Sequence, residues 1–298
     1  MLHDLNIWIL GGDKRQVILG QLLSEDGHTV HFYGVEQYPH IPNDCKLEST
    51  LDGIGKADCV FLPLPVSKDS ETLFAPLSSL SISLVSLFQQ LSPSQLLFGA
   101  RATAPVIQYL TQYQLNLLDY STREEFSIAN AIPTAEGAIQ LMMEQLPITI
   151  HHSNILILGF GRIGRILADR LSALGAKVTV AARRYDSLTW ATVWGYDTEM
   201  STHLSRWLCR YDCVVNTIPA PILTHQELEG MKEGCLVVDL ASLPGGVDHS
   251  AASKLGIHTI HALSLPGKVA PTTAGKIVRD TVYHMLEELE RSRKEELV

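Results

Sequence analysis

The chain has 298 residues, 46% hydrophobic and 18% charged, and at roughly 100–200 residues per domain two domains are expected. The net charge of −9 argues against nucleic acid as the main partner and requires any anionic substrate to be drawn to a local basic patch. No apolar run approaches the roughly 20 residues of a membrane span. The opening stretch MLHDLNIWILGGDKRQ lacks a basic segment followed by a small-residue cleavage site, so no secretory signal is expected. The five cysteines form no CxxC pair and no zinc spacing, and they read as reduced cytosolic thiols, most of them buried.

In chain order, LNIWILGGDKRQVILGQLLSEDGHTVHFYG reads as a strand, a glycine turn, an amphipathic helix and a second strand. Its turn lacks the third glycine of a dinucleotide fingerprint and carries Lys14, Arg15 and Gln16 instead. It therefore reads as a substrate-domain loop whose basic residues face either an anionic substrate or solvent. ADCVFLPLP is a strand running into a proline-rich loop, and SQLLFGA and NLLDY are further short strands. In YSTREEF, Arg123 either clamps a carboxylate or pairs with Glu124 or Glu125. NAIPTAEGAIQLMMEQL repeats Ile139, Met142, Met143 and Leu146 at helical spacing, with Pro133 just ahead, so a connecting helix is expected over 130–150. Thr134 and Glu136 then stand at its start. Glu136 is either an acid complementing the helix dipole or a cleft residue touching substrate or nicotinamide.

SNILILGFGRIGRILADRLSALGAKVTVAARR repeats the strand–glycine–helix–strand unit, with Ile163, Ile166, Leu167, Leu171 and Leu174 on one helical face. DCVVNTIP, GCLVVDLAS and IHTIHALSLPG follow as short apolar strands ending in turns. TTAGKIVRDTVYHMLEELE is helical, with Val278, Val282, Met285, Leu286 and Leu289 on one face, and RSRKEELV reads as a solvated tail. Two such units predict an α/β protein of two doubly wound, Rossmann-like parallel-sheet domains with a cleft between them. The expected division is a substrate and catalytic domain over 1–129, the connecting helix over 130–150, a nucleotide-binding domain over 151–270, and a final helix over 271–298 packing back on the first domain.

The heaviest motif is G-x-G-x-x-G at Gly159, Gly161 and Gly164, with Phe160, Arg162 and Ile163 between them. Alone the pattern is weak, but here a strand precedes it, a helix follows, and a second strand ends about 20 residues on. Gly159 makes the tight turn, Gly161 admits a diphosphate, and Gly164 lets helix and strand approach. That second strand ends in Arg183 and Arg184, where a carboxylate would favour NAD. Arginine pairs bidentately with phosphate oxygens, so the two point to NADP, unless they are ordinary surface residues. Asn216, Thr217, Ile218 and Pro219, then Ala241 with the DLASLPGGVD loop, then Lys268 in LSLPGKVAPTTAG, follow three further strand ends of the same sheet. Each loop alone is most often a turn; three on one edge read as a ligand site. No histidine forms a triad or metal spacing, and no metal is expected.

In order and interval, NAIPTAEGAI, ILGFGRIGRILADRLSALGAKVTVAARR, VVNTIP, DLASLPGGVD and LPGKVAPTTAGKI resemble the A subunits of dipicolinate synthase from spore-forming bacteria. The resemblance is strongest from Asn130 to Ile277 and continues more loosely through WILGGDKRQ and LPLPVS. It implies an enzyme that oxidises a dihydrodipicolinate-type intermediate of the lysine pathway to pyridine-2,6-dicarboxylate, with NADP⁺ taking the hydride. It also implies a partner B subunit of flavoprotein-like type, homo-oligomers, and the cytoplasm of a sporulating mother cell. A dicarboxylate needs cationic partners, for which Arg123 is preferred, then Arg101, Lys14, Arg15 and Lys268. Ser67 and Thr134 could donate neutral hydrogen bonds, and Glu136 could accept the proton. The chain departs from the two-domain hydroxyacid dehydrogenases, whose catalytic loops here read DLASLPGG and LSLPGK with no histidine in place, although His261 is near. The alternatives are an NADP-linked dehydrogenase of another hydroxy or amino acid, and a non-catalytic NADP-binding regulatory subunit.

Overall fold

Twelve short strands, most of them apolar and buried, pack between helices in a computed structural model describing residues 4–295, except for the side chains of His203 and Arg293. The first elements are β1 (Asn6–Leu10), α1 (Lys14–Glu25), β2 (Thr29–Tyr33), β3 (Lys46–Leu47), β4 (Cys59–Phe61), α2 (Leu84–Phe88), β5 (Leu96–Gly99), α3 (Ala104–Gln112) and β6 (Leu117–Asp119). Then come α4 (Glu124–Gln145), β7 (Asn154–Leu158), α5 (Arg162–Ala173), β8 (Lys177–Ala182), α6 (Tyr185–Val193), β9 (Asp197–Met200) and β10 (Cys213–Asn216). The chain ends with α7 (His225–Glu229), β11 (Leu236–Asp239), α8 (His249–Lys254), β12 (His258–His261), α9 (Leu265–Val269) and α10 (Pro271–Glu295). It divides into two compact units, 1–129 with 270–298, and 130–269.

In the first unit the strands run parallel in the order β3-β2-β1-β4-β5-β6. Successive side chains of a strand face opposite ways. Ile7 and Ile9 therefore join Val17 of α1 and Val278 and Val282 of α10 in one core. Trp8 and Leu10 join Leu84 and Leu87 of α2 and Val106 of α3 in the other. Burial of both faces is what a parallel sheet requires. α10 lies directly on α1: a Cβ on Gly275 would stand 2.9 Å from Ile18 Cγ2 and 3.1 Å from the Arg15 carbonyl oxygen, so only glycine permits the approach.

The second unit repeats the topology, β12-β11-β10-β7-β8-β9, again all parallel. Ile155 and Ile157 face α4 and α5, while Leu156 and Leu158 face Trp207, Leu228 and Ala252. Strand order reverses at β7, which pairs with β8 on one side and β10 on the other. The carboxyl ends of β7, β8, β10, β11 and β12 consequently share one edge, where ligands of such sheets bind. Two doubly wound parallel sheets are the fold class read from the sequence.

Three local expectations need correction. α4 begins at Glu124, with Glu124 and Glu125 in its first turn, and carries Pro133 in its interior. Pro133 lacks the N–H that would reach the Ala129 carbonyl, but the buried stripe Ala135, Ala138, Ile139 and Met142 holds the helix through it. Thr134 and Glu136 are therefore mid-helix and not at a helix start. Leu174 and Met143, placed on buried faces by spacing, are 40% and 55% exposed. The expected tail stays helical to Glu295, supported by the i,i+4 ion pair of Glu287 and Arg291; residues 296–298 lie outside the described ones. Among the described residues no helix is long and apolar enough to cross a membrane.

Candidate functional site

The turn after β7 is shaped by its glycines. Gly159 has φ +96°, and a Cβ there would stand 2.4 Å from Thr217 Oγ1. A Cβ on Gly164 would stand 2.2 Å from the Gly159 carbonyl oxygen, so helix and turn meet only because that position is bare. At Gly161 a Cβ would meet nothing within 4 Å: this glycine faces open space. Gly161 is also the N-cap of α5, with no side-chain cap hydrogen bond. The first N–H groups of a twelve-residue helix thus point, uncapped by a side chain, toward an opening with room for a ligand, which fits a diphosphate. Phe160 is buried and Ile163 packs against the core, while Arg162 is exposed.

The opening continues as a groove of about 670 Å³, within the range of small-molecule sites. It is lined by Gly159, Phe160, Gly161 and Arg165 on the β7 side, Arg183, Arg184, Asp186 and Ser187 after β8, Ser201 and Thr202 after β9, and Ile218, Pro221 and Ile222 after β10. Arg183 and Arg184 are both exposed, but their surroundings differ. Arg184 Nε donates to Asp186 Oδ1 over 3.0 Å and its Nη2 to Oδ2. This pairing holds the Asp186 carboxyl below its ordinary pKa and raises that of Arg184. Arg183 forms no ion pair among the described residues. Arg165 donates from Nε to the Phe160 carbonyl over 3.2 Å, and its guanidinium lies 5.6 Å from the Phe160 ring centre and 5.9 Å from that of Trp194.

Other residues expected at the cofactor act on loop shape. Asn216 is wholly buried; its Nδ2 donates to Asp239 Oδ1 (2.8 Å) and to the Ile218 carbonyl (3.0 Å). Thr217 Oγ1 donates to the Leu158 carbonyl over 2.8 Å. Ala241 is buried and donates its N–H to Asp239, and Pro219 is exposed. Of this loop set, Ile218 lines the groove. Spacing did not point to Arg165, Asp186, Ser201 or Thr202. The signal for Arg165 is a basic residue one turn beyond the uncapped helix start.

The expected chemical residues are spread over both units. Glu136 is exposed, and Oε1 accepts from Arg170 Nη2 over 3.3 Å. Thr134 is buried and donates to the Asn130 carbonyl over 2.7 Å. Arg123 does grip a carboxylate in a fork, Nη1 and Nη2 each 2.7 Å from an oxygen of Glu288, while its Nε holds Glu125. Of the two readings of Arg123, the geometry is that of the ion pair. Ser67 is buried and donates to Asp69 Oδ1 over 2.9 Å. Arg101 is exposed with φ +53°, and Lys268 is exposed in α9. Lys14 faces solvent, whereas Arg15 is buried against Asp13 and the Leu64 carbonyl. Among the described residues no cluster of three or more His, Cys, Asp or Glu could hold a metal ion.

Residues 6–121 match the family model of the N-terminal domain of the dipicolinate synthase A-subunit, and residues 130–244 that of the D-isomer specific 2-hydroxyacid dehydrogenase, NAD binding domain. The second match makes 130–244 a nicotinamide-dinucleotide domain of oxidoreductase type. The chain is 32% identical to the dipicolinate synthase A-subunit of Bacillus subtilis, over 97% of its own length and 98% of the relative's. Crystal structures of the dipicolinate synthase A-subunits from Bacillus halodurans and Bacillus subtilis align with TM-scores of 0.89 and 0.87, each 31% identical, over 96% and 98% of this chain and 99% of theirs. A Sinorhizobium meliloti transhydrogenase, 15% identical with a TM-score of 0.72 over 95% of this chain and 94% of its own, shares the fold. With both units matched and the alignment running through nearly the whole length, the chain belongs to the dipicolinate synthase A-subunit family.

Proposed function

We propose that the chain is an NADP-dependent oxidoreductase that converts a dihydrodipicolinate-type dicarboxylate to dipicolinate. The observation that carries the cofactor reading is the strand end after β8. Arginine stands there where a ribose-binding acid would otherwise be, and the nearest acid, Asp186, is tied to Arg184. In this reading Gly161 and the first turn of α5 hold the diphosphate, Arg183 at that strand end faces the 2′-phosphate, and Ile218 packs against the dinucleotide. When bound, the oxidised nicotinamide supplies a two-electron acceptor for hydride. The balance is one hydride to the cofactor and one proton to a base, leaving an aromatic ring. Of the two residues expected to do chemistry, Thr134 is buried and donates to the Asn130 carbonyl; Glu136, whose exposed carboxyl group is paired with Arg170, is assigned the proton.

Residues 1–129 would take the dicarboxylate, with the exposed Arg101 as its partner there, the buried Ser67 hydroxyl being given to Asp69; Lys268 is a further cation for a carboxylate. Family membership supports a flavoprotein-like B subunit in the working complex, homo-oligomers, and a cytoplasmic place in the mother cell during sporulation.

The test supplies purified chain with aspartate semialdehyde, pyruvate and a dihydrodipicolinate-forming aldolase, with NADP⁺ or NAD⁺, with and without the B subunit. Dipicolinate forming faster with NADP⁺ is the expected result, and Glu136→Gln should lower kcat. If no dipicolinate forms although the intermediate is detected and the B subunit is present, the assigned reaction is wrong. Full turnover in Glu136→Gln removes that residue from the chemistry.

A further inference from the structure

Arg183 and Arg184 are neighbours in sequence, yet the groove treats them differently. The fork of Arg184 is closed on Asp186, which also accepts the Ser187 N–H over 2.7 Å. Its charge is cancelled two residues away, and a phosphate approaching it would meet a carboxylate. Arg183 carries no such counter-ion among the described residues. On the facing side, at the start of α5, stands a second arginine in the same condition. Arg165 forms no ion pair among the described residues, and what fixes it is neutral. One edge of its guanidinium is pinned by the Phe160 carbonyl. Its guanidinium carbon stands over the rings of Phe160 and Trp194, which themselves meet edge to face at 5.5 Å. Aromatic faces hold a guanidinium in place without neutralising it. A planar fork oriented beforehand loses little freedom when it binds oxygen atoms.

We infer that the phosphate clamp of this groove is Arg183 with Arg165, and that Arg184 is not part of it. The ligand is the 2′-phosphate of an adenine dinucleotide, so the inference rests on the NADP reading and sharpens it. Two uncompensated guanidinium groups, one after β8 and one on α5, match a dianion that accepts two forks. Ser201 and Thr202 on the same groove offer neutral donors to the remaining oxygen. The Phe160–Trp194 pair is the positioning device, acting through Arg165.

The test is calorimetric titration of the full chain with NADPH and with NADH, for wild type, Arg165→Met, Arg165→Lys, Arg183→Met, Arg184→Met and Trp194→Leu. Removing a charge-assisted contact should weaken NADPH by roughly ten- to a hundredfold in Arg165→Met and in Arg183→Met, with NADH weakened less than about threefold. Arg165→Lys and Trp194→Leu should fall between these and wild type for NADPH. Arg184→Met should stay within about threefold of wild type for both dinucleotides. The NADPH-to-NADH ratio is the readout, because a fold defect lowers both together. Arg184→Met abolishing the preference, or Arg165→Met preserving it, overturns the assignment. An equal loss of both dinucleotides in Arg165→Met, with Arg183→Met still selective, puts Arg165 on the shared diphosphate and overturns the 2′ role while leaving the NADP reading standing. A wild-type preference for NADH removes the NADP reading and this inference with it.

Discussion

Asn216 and Asp239 meet in the interior of the second unit: both are fully buried, and Asn216 Nδ2 donates to Asp239 Oδ1 over 2.8 Å. The same carboxyl group accepts the N–H groups of Ala241 at 3.0 Å and Gly246 at 2.8 Å, while Asn216 Oδ1 accepts that of Ile218. One buried pair thus sets the path of two strand-end loops. Asp239→Ala strands three donors, and since each buried unsatisfied donor costs about 1–3 kcal/mol, the expected loss is about 3 kcal/mol or more. Urea unfolding checks this; an unchanged midpoint would show that the loops hold themselves.

The motif glycines should separate fold from binding. At Gly164 an added Cβ meets the Gly159 carbonyl at 2.2 Å, whereas at Gly161 it meets nothing. Gly164→Ala should lower Tm by several degrees, in the way overpacked sites cost about 1–3 kcal/mol. Gly161→Val displaces no neighbour and loses only the N-cap preference, about 1 kcal/mol, so it should cost no more than a few degrees of Tm while abolishing measurable dinucleotide binding. Thermal melts and fluorescence titration on the same samples distinguish the two.

Acid should destabilise the second unit through Asp212. Burial works to raise its pKa, but the hydrogen bond from Lys232, then that from the Asn154 N–H at 2.7 Å, outweigh burial and hold the carboxyl below its ordinary value. A carboxyl with its folded pKa below its unfolded one contributes stability above about pH 4, lost as the pH falls through the depressed folded value. Urea midpoints should therefore fall from pH 5 to pH 3. Lys232→Met should make that fall shallower, because the folded pKa returns toward the unfolded one. An identical pH slope in the variant would remove the pair from the account.

Thiol reactivity should report the cores directly. Cys45, Cys59, Cys213 and Cys235 are buried and Cys209 is exposed. Burial pushes the Cys59 and Cys235 thiols up to about 12, and Cys213 well above its ordinary value. An aromatic disulfide reagent at pH 8 should titrate one thiol of the native chain quickly and the others after unfolding. Two or more fast thiols would mean that a strand core opens readily.

The nucleotide turn was legible because everything it needs lies within about thirty residues: strand, glycines, helix, second strand. The clearest failure was local as well. Pro133 reads as a helix boundary, yet Ala135, Ala138 and Met142 are fully buried on the far side of it, and burial of that stripe outweighs a penalty of about 3 kcal/mol. Arg123 illustrates the other kind of limit. Its partner Glu288 is 165 residues away, and no spacing rule reaches that far. Two adjacent arginines looked equivalent in sequence, and the Asp186 side chain made them different.

What the amino-acid order determined alone is the periodic part: apolar runs that must be buried on both faces, glycines where a turn and a diphosphate need bare backbone, and hence two doubly wound sheets. What only the tertiary structure decided is which charges remain uncompensated. Arg123 and Arg184 found carboxylates, Arg15 was buried against Asp13, and Arg165 came to rest on two aromatic rings. The physical reason is range. Hydrophobic periodicity and backbone sterics act between near neighbours in the chain, whereas the state of a charge is set by whatever group the fold brings within a few ångströms.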